Sequence, residues 1–162
     1  MCPPFLVEYL KNILDYDLQS GEFIWKVRLS IRIEIGQKAG YKTKRGYIYI
    51  GIDNKIYKAH QLAWYYVTGE WKKIDHRNQV KCDNRFENLR PATKSQNGAN
   101  RGKTKNNKSG IKGVSWHQQS QKWESSIMKD GKRYRKFFDS KEEAAEFYRQ
   151  TAIELYGEFS CW

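Results

Sequence analysis

The sequence predicts an α+β chain in two folded parts, an N-terminal part with helices and an extra β-hairpin, and a small C-terminal β-β-β-α part. Three observations carry this. Helical spacing and period-two runs alternate within roughly the first hundred residues. The stretch from Asn97 to Gly110, NGANRGKTKNNKSG, has no aliphatic side chain larger than alanine and reads as a linker. Beyond it, three alternating runs precede one amphipathic helix. The boundaries expected are residues 1–100 for the first domain, 101–110 for a basic linker and 111–162 for the second domain. A chain of 162 residues that is 39% hydrophobic and 15% aromatic has room for one ordinary domain or two small ones.

Taken in order, Leu6, Tyr9, Leu10, Ile13 and Leu14 fall on one helical face, and the helix ends before Ser20 and Gly21. A strand is expected around Phe23 to Val27. Two alternating runs, Tyr47 to Ile52 and Lys55 to Ala59, flank Asp53 and Asn54, the pattern of a tight hairpin. From His60 to Thr68, Leu62, Ala63, Tyr66 and Val67 share a helical face, and Gly69 is placed to stop it. In the C-terminal part, strands are expected over Ile111 to Trp116, Lys122 to Lys129 and Lys132 to Phe138, with Asp130 and Gly131 as a turn. Ser140 and Glu143 then form a capping box for a helix that ends at Gly157.

The charge narrows the partner. Thirty Lys and Arg against 18 Asp and Glu leave a net charge of +12, which favours a polyanion, nucleic acid foremost. No apolar stretch reaches the roughly 18 residues of a membrane span, and no basic amphipathic helix stands out, so a membrane is not the expected partner. The start MCPPFLVEYL has no basic, apolar and small-residue sequence of a secretory signal, so a cytoplasmic chain is expected. Cys2, Cys82 and Cys161 lie far apart with no C-x-x-C pair, so neither a disulfide framework nor a structural zinc is expected. Nothing in the sequence marks a protein partner, and a monomer is expected.

The most informative segment is KKIDHRNQVKCDNRFENLRPATKSQN, in which Ile74 leads into Asp75 and His76, and Asn88 and Asn97 come after. Phosphodiester hydrolysis accounts for such a set. It needs water made nucleophilic near neutral pH, for which histidine is the natural base. It also needs a cation to neutralise charge on the phosphate and the departing 3′ oxygen. Magnesium, with manganese as the alternative, takes few protein oxygens and keeps its waters; one carboxylate and one amide carbonyl suit it.

These residues resemble the HNH endonuclease family, in particular the phage and intron-encoded homing subgroup with D-H, D-N-R-x-E-N-L-R and S-x-N in that order. Asp75 with His76, Asp83 to Arg85, Glu87 to Arg90, and Ser95 with Asn97 match it. The resemblance implies a ββα-metal fold of two strands and a helix around one divalent metal. It implies His76 as general base, Asp75 and Asn97 as metal ligands, and Asn88 as the residue that braces the intervening loop and orients the histidine. Arg90 fits either a phosphate contact or a structural ion pair. The chain departs from the family in the turn after D-H, where Asn78 and Gln79 replace a usual glycine; asparagine tolerates the left-handed conformation. His60, ahead of the helix HQLAWYYVTGEW, reads as structural or phosphate-facing.

Between Arg101 and Lys136 there are 11 basic residues against Glu124 and Asp130, and the charges are interleaved with strands rather than gathered in a tail. The strings GIKGVSW, KWESSI and GKRYRKFFDSKEEAAEFYRQTAIELYGEFS resemble the APETALA2-type DNA-binding domain, whose three antiparallel strands enter the major groove while the helix packs behind. Alternation assigns Trp123, Ser125 and Ile127 to the helix side and Lys122, Glu124, Ser126 and Met128 to DNA. Lys112, Ser115 and His117 from the first strand and Arg133 and Arg135 from the third complete that face, with Arg101, Lys103 and Lys105 along the linker. The competing reading is a sequence-specific DNA-binding regulator whose nuclease half is inactive; the intact set Asp75, His76, Asn88 and Asn97 separates the two.

Overall fold

The computed structural model describes residues 3–162, which divide into two compact units, one running through Ala92 and the other Thr93–Trp162. The first helix, α1 (Val7–Ile13), buries Leu10 and Ile13. It is one residue shorter at each end than the apolar spacing from Leu6 to Leu14 implies. Leu14 adopts φ −130° and ψ 145° and opens strand β1 (Leu14–Tyr16), so its side chain reaches the core from a strand instead of a last helical turn. Strand β2 (Phe23–Trp25) pairs antiparallel with it, Leu14 opposite Trp25 and Tyr16 opposite Phe23, and stops two residues short of the expected Val27.

A second sheet is built from β3 (Tyr41–Lys42), β4 (Ile48–Ile52) and β5 (Lys55–Lys58), all antiparallel. The two-residue β3 is too short to show a period in the sequence; the expected hairpin around Asp53 and Asn54 is present. Both residues are left-handed, φ 48° and 60°, as a two-residue type I′ turn requires. Ala59, expected as the end of that hairpin, instead starts helix α2 (Ala59–Thr68), which Gly69 ends at φ 70° by donating its N–H to the Tyr65 carbonyl. The core of this unit is made by Leu10, Leu14, Phe23, Ile50, Ile52 and Leu62, all enclosed. A third pairing, β6 (Ile74–His76) with β7 (Leu89–Pro91), closes the unit.

The second unit begins with α3 (Lys94–Ala99). Its N-terminus carries a full capping box, the Thr93 hydroxyl accepting from the Gln96 N–H while the Gln96 side chain accepts from the Thr93 N–H. This helix packs against α4 (Lys141–Tyr156) and the short turn after it, so the compact units divide after Ala92, ahead of the boundary read at residue 100. Residues 101–110 hold no helix or strand, yet their second half is tied down. Asn107 donates to the Ile111 carbonyl at 2.8 Å, and the Ser109 hydroxyl donates to the Val114 carbonyl at 2.6 Å. A meander of β8 (Val114–His117), β9 (Lys122–Lys129) and β10 (Lys132–Phe138) comes next, with β9 in the middle. Helix α4 lies on one face. Ser125 is fully buried, as the alternation predicts, and of the small residues of α4 Ala144 and Ala152 are buried while Ala145 is only half-buried. At the helix start the Ser140 hydroxyl accepts from the Glu143 N–H at 3.2 Å, one half of the predicted box. Cys82 and Cys161 are free thiols, and Cys2 lies outside the described residues.

In the first unit, one close backbone approach anchors the segment around Asn84. The turn joining β1 to β2 passes Gly21, at φ 74°, directly over the backbone of Asn84 and Arg85. A Cβ there would lie 2.3 Å from the Arg85 nitrogen and 2.4 Å from the Asn84 carbonyl carbon, so only glycine admits the approach. From the same hairpin, the Tyr16 hydroxyl donates to the Asn84 carbonyl at 2.6 Å. Residues more than sixty positions earlier in the chain thus hold this segment in place.

Candidate active site

The register of β6 and β7 sets Asp75 opposite Arg90 and His76 opposite Leu89. All three residues of β6 are buried, which is what an Ile-Asp-His strand must be if its polar members are held by partners rather than by water. Asp75 finds Arg90. The guanidinium donates from Nε at 3.2 Å and from Nη2 at 3.1 Å to the Asp75 Oδ2, with both side chains under one-tenth exposed. Of the two readings open for Arg90, the structure therefore realises the ion pair. A guanidinium committed to a buried carboxylate does not face a phosphate, and the expectation of Arg90 as a DNA contact is corrected on that ground.

Between the strands, the loop is cross-tied by amides. The Asn88 Oδ1 accepts from the Asn78 N–H at 3.0 Å, and its Nδ2 donates to the Asp83 carbonyl at 2.8 Å, so one side chain spans the two arms of the loop. Asn78 closes the turn with its own side chain, Oδ1 accepting from the Val80 N–H at 2.8 Å and Nδ2 donating to Asp83 at 2.7 Å. The left-handed residue is Gln79, at φ 64°, not Asn78. Asn78 is occupied in an Asx-type turn that needs an ordinary φ, and the strain moves one residue on. Arg85 grips Asp83 through Nε at 2.9 Å and Nη2 at 2.8 Å and holds its carboxyl down at about 2.

His76 sits at the centre of this loop and is 4% exposed. Its Nε2 lies 3.1 Å from the Asn84 Oδ1. The His60 ring stands edge-on to it, centroids 4.7 Å apart at 72°, and Tyr47 lies against both histidines. His60, in the first turn of α2, is therefore buried against His76, and its Nδ1 has no hydrogen-bond partner. Burial pushes the His60 imidazole well below its ordinary value, with His76 and Lys58 adding repulsion. His76 is lowered too, by burial first, although the Asn84 bond and the charges of Asp75 and Asp83 act the other way. Burial therefore disfavours the charged form of both rings. Asn84 and Tyr47 are the neighbours that sequence reasoning gave no role. Asn84 stood inside the matched D-N-R string, but nothing in spacing alone tells it from Asn88.

In the second unit, Asn97 lies half-buried at the end of the first turn of α3. Strand register puts Ser115 and His117 of β8, Lys122, Glu124, Ser126 and Met128 of β9, and Arg133 and Arg135 of β10 on one face of the sheet, opposite to α4. Ser115, Met128, Arg133 and Arg135 are exposed there. His117 is turned by a 2.9 Å bond to the Ser120 hydroxyl, and Lys122 pairs with Asp139 at 3.0 Å. Lys112 does not join this face. Its ammonium donates to the carbonyls of Ala99 and of Cys161, the latter at 2.9 Å, and burial lowers its pKa, so the expectation of a DNA contact is corrected to an internal tie. Arg101, Lys103 and Lys105 lie along the stretch before β8, Arg101 and Lys105 exposed and Lys103 reaching back to the Gly110 carbonyl at 3.3 Å. Among the described residues, no group of three or more His, Cys, Asp or Glu comes together to hold a metal unaided. Nor is any helix among them long and apolar enough to cross a membrane.

The buried groups set two measurable outcomes. Arg90→Ala leaves the Asp75 carboxylate buried without its cation and destabilises the fold by about 3–5 kcal/mol in denaturant unfolding; an unchanged midpoint would refute the structural role. The histidines set the acid response. Below their ordinary 6.5 the unfolded chain binds protons that the folded chain, with both values lowered, does not, so stability falls as pH falls through that range. Melting temperatures taken from about pH 7.5 to about pH 5.5 should decline, and His60→Phe should flatten the decline.

The comparisons with known proteins place a family match over the segment that carries Asp75 and His76. Residues 57–99, which hold α2, the β6–β7 hairpin and α3, match the family model described as HNH endonuclease. The chain is 33% identical over 113 residues to Protein 3.8 of Escherichia phage T7, an alignment covering 65% of this chain and 93% of that protein. It is 35% identical over 88 residues to an uncharacterised HNH endonuclease of Acanthamoeba polyphaga mimivirus, covering 54% of this chain and 44% of the relative. No solved structure matches the chain. With the Asp-His strand inside the matched segment, residues 57–99 form an HNH endonuclease domain, and the chain is a relative of a phage protein aligned along nearly its whole length.

Proposed function

We propose that the protein is a metal-dependent DNA endonuclease of homing type, hydrolysing phosphodiester bonds in double-stranded DNA. The observation that carries the reading is the buried His76 on a strand beside Asp75, its imidazole pushed below its ordinary range by burial, in a loop whose arms Asn88 ties together. A neutral imidazole is the form that accepts a proton from water near pH 7. In the proposed reaction His76 takes that proton as the water oxygen attacks phosphorus, and the bond to the 3′ oxygen breaks on the far side. Asn88 keeps the loop closed, and Arg90 fixes the orientation of the Asp75 carboxylate.

Asp75 offers a carboxylate, an oxygen donor that suits a hard ion keeping most of its own waters, with Mg2+ the first candidate and Mn2+ the second. When bound, the cation supplies neutralisation of the charge that builds on the phosphate and the leaving oxygen.

The sheet face of the second unit is proposed as the targeting surface, an APETALA2-like module whose strands lie in a groove. Arg133 and Arg135 are exposed on it beside Ser115, Ser126 and Met128, and Glu124 supplies an acceptor among the cations.

A nicking assay on supercoiled plasmid tests the reading. The protein should convert the substrate with magnesium and not with chelator, and His76→Ala should lower the rate by at least about 100-fold while DNA affinity stays unchanged. Binding without cutting in the wild type would favour the inactive regulator instead. Arg133→Ala or Arg135→Ala, by contrast, should weaken DNA binding and reduce the slope of log affinity against log salt by about 1 for each phosphate no longer neutralised, with the cutting rate at saturating enzyme preserved.

A further inference from the structure

Asn88 has a mechanical task, both ends of its amide being spent on the backbone of the loop. Asn84 is different. Its side-chain oxygen meets the imidazole itself, 3.1 Å from the His76 Nε2, and Asn84 is 3% exposed. A carbonyl oxygen only accepts, so the nitrogen facing it must carry the hydrogen. A neutral imidazole has one N–H, and committing it to Nε2 leaves the lone pair on Nδ1.

The position of Asn84 is fixed independently of that bond. Tyr16 donates to its carbonyl at 2.6 Å, Gly21 seats the β1–β2 turn against its backbone, and the flanking Asp83 and Arg85 are paired with each other. The His60 ring, at 72° to that of His76, restrains the plane in which the imidazole turns. With its backbone so anchored, Asn84 presents its side-chain oxygen to the histidine from a fixed point.

We infer that Asn84 is a positioning residue for His76, selecting the tautomer protonated at Nε2 and thereby making Nδ1 the nitrogen that takes the proton from water. The catalytic half of this inference rests on the nuclease reading; the choice of tautomer does not. A histidine in the wrong tautomer offers an N–H where a lone pair is required, and catalysis suffers while substrate binding does not.

Ring spectra and kinetics separate the two. In the metal-free protein at about pH 7.5, nitrogen-15 correlation spectra of the His76 ring should show the Nε2–H tautomer in the wild type. Asn84→Asp, which retains an acceptor, should keep it, and Asn84→Ala should populate the Nδ1–H form. In the plasmid assay, Asn84→Ala should lower kcat by at least about 10-fold with KM little changed, and Asn84→Asp should recover much of the loss. A wild-type ring protonated at Nδ1, or an Asn84→Ala protein whose tautomer and kcat match the wild type, would overturn the inference. If the wild-type protein cuts no DNA at all, the nuclease reading fails, and the ring spectra still decide whether Asn84 sets the tautomer.

Discussion

The segment from Asp75 to Arg90 depends on one amide. Two strands of three residues each cannot hold a loop of this length shut by their ladder alone, and Asn88 supplies the missing closure by accepting from one arm and donating to the other. The loop residues around His76 are arranged on that closure, while His60 and Tyr47 come to the ring from outside it. Asn78 shapes the turn, Asp83 receives both Asn78 and Arg85, and Asn84 is carried to the imidazole. A side-chain amide suits the task because it offers donor and acceptor at fixed separation with no charge to desolvate.

Much of this is legible in the sequence, for a physical reason. The tight turn at Asp53 and Asn54 is specified by adjacent residues, and local pattern reads it well, whereas the β6–β7 hairpin and the helix after it are legible through the motif they carry. What the pattern misses is tertiary. Nothing in the spacing announces that Tyr16 and Gly21, more than sixty positions away, anchor the Asn84 segment, or that His60 places its ring on His76. Leu14 reads as a helix residue and opens a strand, because one buried apolar side chain satisfies a helix end and a strand start equally.

The charged residues repeat that lesson. Positive charge points to a polyanion partner, and alternation puts Arg133 and Arg135 on an exposed sheet face, where the register has them. Arg90 and Lys112 lie in the same basic sequence and are spent inside the protein, one on a carboxylate and one on two carbonyls. Burial decides the difference, and burial of a long cationic side chain is not encoded in its immediate neighbours.

The cross-ties among residues 75–90 reach at most 15 positions along the chain. Closing loops of that size forfeits little chain entropy, and every tie is supplied from within. A segment built this way is portable: it can be set into chains of differing length and surroundings and still close. The external grip of Tyr16 and Gly21 is then the local adaptation, fitted by this chain to a cassette that brings its own bracing.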